Sequence, residues 1–301
     1  MVETNSIVKN NYEINKVFDY DSRFSTEFGF GFYKLIESIS KMVDEIEIKV
    51  DIDKIHINFM DPSRIFLCDV EIEESSNTDL VVNKIGKYAV NVNDLAKVLK
   101  VNKSDQKSFT LKFDTTKIYV DKIKENGFNA TKTLALIDLD IEEIPMDNLL
   151  KIEYPNKVQI QKEYLEDLFK ELGTYSEIVE IGISKDGIKF SENGQVGEGL
   201  YTIEMDNLNE LDIPLDDFRT YHEEKGAYSI SYLVLLKYLF AIMEKKQLVT
   251  MKVKTDHPIH ISTEFEELGI FFNVFVAPRV CEPEYDEDDY EDEDHNDIFY
   301  D

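Results

Sequence analysis

Two runs of spaced carboxylates have the best claim to chemistry, "DIDKIHI" (Asp51–Ile57) and "DLDIEEI" (Asp138–Ile144). Carboxylates at such spacing could hold a hard cation. Neither run, however, has the central glycine or the terminal bidentate glutamate of a calcium loop. Both alternate acids with apolar residues, as a strand or an extended connector does. The five histidines (His56, His222, His257, His260, His295) are scattered, and no Cys/His cluster has zinc spacing. Cys68 and Cys281 are the only cysteines, so no disulfide framework is expected and a reducing cytoplasm is the default. There is no glycine-rich phosphate loop and no nucleophile elbow. The expectation is a protein that is not an enzyme and needs neither metal nor cofactor. What remains is charge on helix faces: Lys34, Lys41, Lys97, Lys100, Lys162, Lys170 and Lys237. On charge pattern alone these are ordinary solvated lysines.

The formal net charge of the 301 residues is −29, and it is unevenly spread. Residues 282–301 hold 12 Asp or Glu and no Lys or Arg, which leaves about −17 for the rest. A chain this acidic cannot be basic everywhere, which argues against indiscriminate nucleic-acid binding. It does not exclude a face on which cations gather. No apolar run approaches the length of a membrane span, and the first 25 residues lack the apolar core of a signal peptide.

Four short amphipathic helices are expected, at about Phe32–Asp44, Asn93–Lys100, Lys162–Leu172 and Ser231–Met243. In the first, Leu35, Ile36, Ile39, Met42 and Val43 share one face, with Lys34, Glu37, Ser38 and Lys41 opposite. Strands alternate with turns between the helices, and the pattern is written twice. "IEIKVDIDKIHI" (Ile46–Ile57) aligns with "VEIGISKDGIKF" (Val179–Phe190), placing Asp53-Lys54 over Asp186-Gly187, a hairpin signal between alternating strands. "YAVNVNDLAKVLK" (Tyr88–Lys100) aligns with "YSISYLVLLKYLF" (Tyr228–Phe240), and each leads into a strand, Ser108–Phe113 and Leu248–Val253. The fold class is therefore α+β, built on internal duplication. Between the two halves, Leu136–Val158 contains Pro145 and Pro155 and reads as an extended connector lying on a sheet. The expected division is an extension over 1–25, a first domain over 26–136, a connector over 137–157, a second domain over 158–280 and a disordered acidic tail over 281–301.

Six dispersed segments, in order, resemble the proliferating cell nuclear antigen family of sliding clamps. They are "NFMDPSRIFLCDVEI", "VNVNDLAKVLK", "LIDLDIEEIP", "SKDGIKF", "YSISYLVLLKYL" and the ending "FVAPRV". The connector and the ending look archaeal. The resemblance implies two tandem clamp domains with antiparallel sheets outside and two helices each lining a central hole, three subunits closing head to tail into a ring. A head-to-tail contact closes when its rotation permits, and closure removes exposed sheet edges.

The resemblance also implies the partners: encircled double-stranded DNA without sequence preference, a DNA polymerase, a clamp loader and other proteins bearing the glutamine-containing PIP-box peptide. It makes the seven lysines a diffuse phosphate-contacting surface. It assigns the peptide pocket to Met60, Arg64, Ile65, Leu67, Ile141, Ile144, Pro145, Pro258, Phe275, Ala277 and Pro278. Ser231 stands where the family usually has a basic residue, and Glu37, Glu163 and Glu166 dilute the cationic faces, so DNA contact is expected to be weak or uneven. A homotrimer is expected, with a heterotrimer as alternative, no membrane, and a location in the cytoplasm or, in a eukaryotic or viral setting, the nucleus or viral factory. The rival within the same fold is a scaffold or checkpoint-type heterotrimer subunit with little DNA binding of its own.

Overall fold

The computed structural model of the chain describes residues 20–102, 106–124, 126–139, 144, 146–184, 186–204, 210–212 and 224–279. The acidic tail and residues 1–19 lie outside the described residues. The first repeat runs β1 (Ser22–Thr26), α1 (Gly29–Ile39), β2 (Glu45–Val50), β3 (Lys54–Met60), β4 (Phe66–Glu73), β5 (Thr78–Val82), β6 (Gly86–Asn91), α2 (Val92–Leu99), β7 (Gln106–Phe113), β8 (Lys117–Lys124) and β9 (Asn129–Ala135). After α3 (Met146–Leu150) the second repeat keeps the same order. It runs β10 (Lys157–Gln161), α4 (Lys162–Glu171), β11 (Ile178–Ser184), β12 (Gly187–Gly194), β13 (Gly197–Glu204), β14 (Glu210–Asp212), β15 (Glu224–Ser229), α5 (Ile230–Leu233), α6 (Leu236–Phe240), β16 (Leu248–Lys252), β17 (Ile259–Phe265) and β18 (Ile270–Val276).

The duplication extends to single side chains. Tyr88 in β6 and Tyr228 in β15 each fold back over a glycine two residues earlier, Gly86 and Gly226. A Cβ at either glycine would collide with the tyrosine hydroxyl, so both repeats need Gly-x-Tyr there. Both tyrosines are buried, with their ionisation pushed up, chiefly by burial and to about 12 for Tyr88.

The strands sort into three antiparallel sheets rather than one per repeat. One has the order β5-β1-β7-β8-β9 and another β13-β12-β11-β15. The nine-stranded sheet has the order β14-β10-β16-β17-β18-β4-β3-β2-β6, so it takes strands from both repeats. The seam is β18 against β4, from Ile270↔Ile72 to Val276↔Phe66. Apolar side chains at period two on these strands fill a core shared with the helices, in which Val70, Ile72, Phe272, Val274 and Val276 are buried. The helices form one layer: α1 packs on α2 and α6, and α6 packs on α4. The Ser38 hydroxyl lies 2.7 Å from both Lys34 O and Tyr238 O, so its one proton is shared between its own helix and the second repeat across that layer.

Several boundaries differ from the sequence expectation. The first sheet begins at Ser22, inside the stretch expected to be an extension. Helix α1 starts on Gly29, since burial of that turn outweighs glycine's poor propensity, and it stops at Ile39 in tighter bonds from Lys41 N to Ser38 O and Met42 N to Ile39 O. The expected fourth helix is broken into α5 and α6 by i→i+3 bonds, Leu235 N to Tyr232 O and Lys237 N to Val234 O, with no glycine or proline to announce the break. The connector begins extended, where Ile137 N donates to Ala89 O on the β6 edge at 2.9 Å. It then forms α3, which begins at Met146.

Candidate nucleic-acid interface and partner groove

The helix layer carries all seven candidate lysines, but it does not present them equally. Lys41, Lys97, Lys100, Lys170 and Lys237 are exposed and Lys34 is half-buried. Lys162 is 6% exposed; its Nζ donates to Met243 O at 3.0 Å and pairs with Glu166 at 3.1 Å. It therefore anchors α4 to the chain after α6 and is not available to phosphate, contrary to the sequence expectation. Three of the others are tied to acids on their own helix: Lys34 to Glu37, Lys97 to Asp94 and Lys170 to Asp167, at 2.5, 2.8 and 2.6 Å. Partial burial works against the charge of Glu37, but hydrogen bonds from Lys34 and Tyr33 outweigh it and hold the carboxyl below its ordinary value. Lys41, Lys100 and Lys237 form no ion pair with another described residue. Ser231 is exposed and shares a hydrogen bond with Ser229. The layer is therefore close to charge-neutral, with three cations outside any ion pair, of which Lys237 lies over the Tyr238 ring at 5.0 Å.

On the other face of the nine-stranded sheet lies a small apolar cluster separate from the main core. Leu67 of β4, Phe275 of β18 and Met146 of α3 are buried together, with Met60, Ile144 and Leu149 packed against them. The seam creates this cluster, because the pair Phe275↔Leu67 brings the two repeats side by side. Beneath Phe275 the ring of His260 stacks at 4.5 Å, and Tyr154 flanks His260 at 5.9 Å. Burial pulls the His260 imidazole down to about 4, outweighing the hydrogen bond that its Nε2–H donates to Asn273 Oδ1, with Lys252 adding a smaller push in the same direction as burial, so it is neutral in the fold. The Tyr154 hydroxyl donates to Pro258 O at 2.7 Å, and the β17–β18 register carries Pro258 to the neighbourhood of Ala277.

The loop between β3 and β4 forms the far wall. Asp61 accepts from Ser63, Ile65 and Phe66 backbone N–H groups and from the Tyr232 hydroxyl of α5, at 2.6–2.9 Å. Arg64, at φ 58, is exposed at its tip. Ile65 differs from expectation: its side chain packs on the main core, and its carbonyl accepts from Ala277 N at 2.8 Å. Pro278 follows, half-exposed, and Arg279 N donates to Ala227 O. Of the expected pocket residues, Met60, Leu67, Ile144 and Phe275 come together; Ile141 and Pro145 lie outside the described residues.

The sequence of residues 24–147 matches the model of the proliferating cell nuclear antigen N-terminal domain, and residues 148–279 match that of its C-terminal domain. The chain belongs to the proliferating cell nuclear antigen family. It is 28% identical to the DNA polymerase sliding clamp of Pyrococcus horikoshii over 252 residues, 83% of this chain and 95% of that protein. It is 27% identical to the Pyrococcus furiosus clamp over 251 residues, with the same coverage. Two solved structures share the fold with a TM-score of 0.72: the antigen from Thermococcus kodakaraensis, at 20% identity, covering 86% of this chain and 100% of that one, and the antigen from Entamoeba histolytica, at 16%, covering 87% and 100%.

Set in the antigen family, the described site adds four residues that sequence reasoning missed. Met146 and Leu149 belong to α3, and the signal was the Pro-Met-Asp-Asn-Leu-Leu run, a helix start hidden by reading proline only as a breaker. His260 and Tyr154 support the groove from behind, and no local pattern marks them. No helix of the described residues is long and apolar enough to cross a membrane.

Proposed function

We propose that this chain is a DNA sliding clamp: three copies close into a ring around duplex DNA, and the groove over Leu67 and Phe275 holds the peptide of a polymerase or another replication protein. Such a protein performs no covalent chemistry; it raises the local concentration of its partner at the template.

One observation carries the reading. In the second repeat β18 plays the part that β9 plays in the first, and β4 in the first repeat plays the part of β13 in the second. Within the chain, β18 pairs with β4. The equivalent pair, β9 with β13, is not made within the chain, where each is the last strand of its own sheet and so keeps one edge open. Repeating the same joint between copies joins β9 of one to β13 of the next, head to tail, and a closed ring leaves neither edge open. The two edges suit one another. Lys132 lies on β9 with Lys124 at the end of β8, Glu198 and Glu204 lie on β13, and Leu200 on β13 is 68% exposed. The helix layer then faces the enclosed space, where neutral or mildly cationic side chains hold DNA without arresting it.

Light scattering and a processivity assay test this together. The expected results are a particle of three 35.1 kDa chains and longer products from the cognate polymerase once the clamp is loaded. A monomer at every concentration, with no change in product length, would overturn the proposal. For the groove, the double variant Ile144→Ala, Pro278→Ala should weaken a PIP-box peptide by roughly tenfold, by removing apolar contact area; undiminished titration would place the peptide elsewhere.

A further inference from the structure

We propose that His56, Asp69 and Glu71 form a binding site for one divalent first-row metal ion, of which zinc is the ion to try first. The residues lie on β3 and β4, on the same face of the nine-stranded sheet as the groove. The register sets His56 directly opposite Glu71, and Asp69 is two residues along β4. One ligand atom from each lies within 4.8 Å of the others.

The second observation is the state of Asp69. Its side chain is 2% exposed, and Oδ1 is buried with no hydrogen-bond partner. An unpartnered buried carboxylate oxygen is costly, so something should satisfy it. His56 Nδ1 lies 3.7 Å away. That is too long for a hydrogen bond but close to the separation of two ligands on one tetrahedral ion, about 3.4 Å for bonds of about 2.1 Å. Across the ladder from Asp69, Asn58 Oδ1 is another buried acceptor without a donor. With the Asn58 amide placed this way, the two facing acceptors have no donor between them, and a cation would satisfy both.

One imidazole with carboxylates suits zinc and its neighbours better than magnesium, which prefers oxygen ligands and retained water. Glu71 is the weakest ligand of the set, because Lys54 already holds its Oε2 at 2.9 Å. The ion would tie β3 to β4 two residues from Leu67. Sequence spacing could not disclose the site, since it is sheet pairing that brings residue 56 to residues 69 and 71.

The test uses the full chain stripped of metal. Zinc is titrated in competition with a chromophoric chelator, in excess magnesium to occupy the acidic tail, for the wild type, His56→Gln, Asp69→Asn and Glu71→Gln. The tail carboxylates are identical in all four proteins, so differences report this site. The expected result is one zinc per wild-type chain, with a loss of about tenfold or more in His56→Gln and in Asp69→Asn, and a smaller loss in Glu71→Gln. Melting curves without metal establish that each variant folds; should the first two fail, Glu71→Gln decides alone. Wild type without a zinc site, or variants equal to it, would overturn the proposal. Either outcome would mean that a turned Asn58 amide satisfies Asp69 instead.

Discussion

The seam β18–β4 and the open edges β9 and β13 are the same joint in two settings, and they are made of different residues. β18 reads IFFNVFV and β4 reads FLCDVEIE, with Phe272, Val274 and Val276 at most 2% exposed. β9 reads NATKTLA and β13 reads GEGLYTIE, alternating half-buried and exposed positions along most of their length. Chain connectivity keeps the seam at a very high effective concentration, so it can be built as core. An edge that meets another molecule must stay soluble before the meeting, so it is polar with a few apolar anchors. The seam is therefore a folding element, and in the proposed ring the edges are a binding surface.

That difference is broken most sharply by placing a charge in the seam. Val274→Asp buries an unpaired carboxylate and should cost about 4–5 kcal/mol, enough to unfold much of the chain. Urea denaturation followed by circular dichroism measures it, and a midpoint close to wild type would remove the seam from the core. The seam should also carry a pH dependence of its own through His260. Its imidazole titrates near 4 in the fold against 6.5 when unfolded, so below about 6.5 the unfolded chain binds the proton first. Stability is then full above 6.5 and falls as pH drops toward 4, by up to about 3 kcal/mol. His260→Gln should flatten that part of the pH profile; an unchanged slope would mean that other groups cause it.

The same charge on an open edge should behave differently. Leu200→Asp, at a position 68% exposed, should leave the melting of a single chain within about 0.5 kcal/mol of wild type. It should weaken association by roughly thirtyfold or more, as loss of an apolar interface anchor does. Light scattering across a dilution series reads the shift from three chains to one. An unaltered trimer would show that β13 does not make the contact between copies.

Much of the local structure was legible in the sequence, because hairpins and amphipathic helices are written in neighbouring residues. The Asp53–Lys54 and Asp186–Gly187 turns and the two repeats follow from periods of two and of 3.6. The partition of each repeat between two sheets was not legible, since alternation names a strand's faces and not its neighbour. The groove was half legible for that reason: Leu67 and Phe275 meet only because β18 pairs with β4. Lys162 misled for a related reason. Its place on α4 looks polar from within the helix, and only Met243, from a distant turn, shows that the ammonium is buried.

The smallest effect expected is also the most discriminating for the helix layer. Replacing Lys41, Lys100 and Lys237 by Ala, or Lys34, Lys97 and Lys170 by Ala, changes the net charge of the chain by the same amount. Long-range attraction to DNA should fall equally in both, so affinity alone cannot tell them apart. The salt dependence can, because its slope counts phosphate contacts, at about 0.9 per contact. Lysines already held by Glu37, Asp94 and Asp167 release little counterion when DNA arrives. The uncommitted trio should therefore lower the slope by up to about one per lysine, and the acid-paired trio should leave it nearly unchanged. Fluorescence anisotropy of a short duplex over a range of salt concentrations gives both slopes. Equal reductions would mean that the ion pairs open on DNA, and that the neutral look of the layer belongs to the free protein alone.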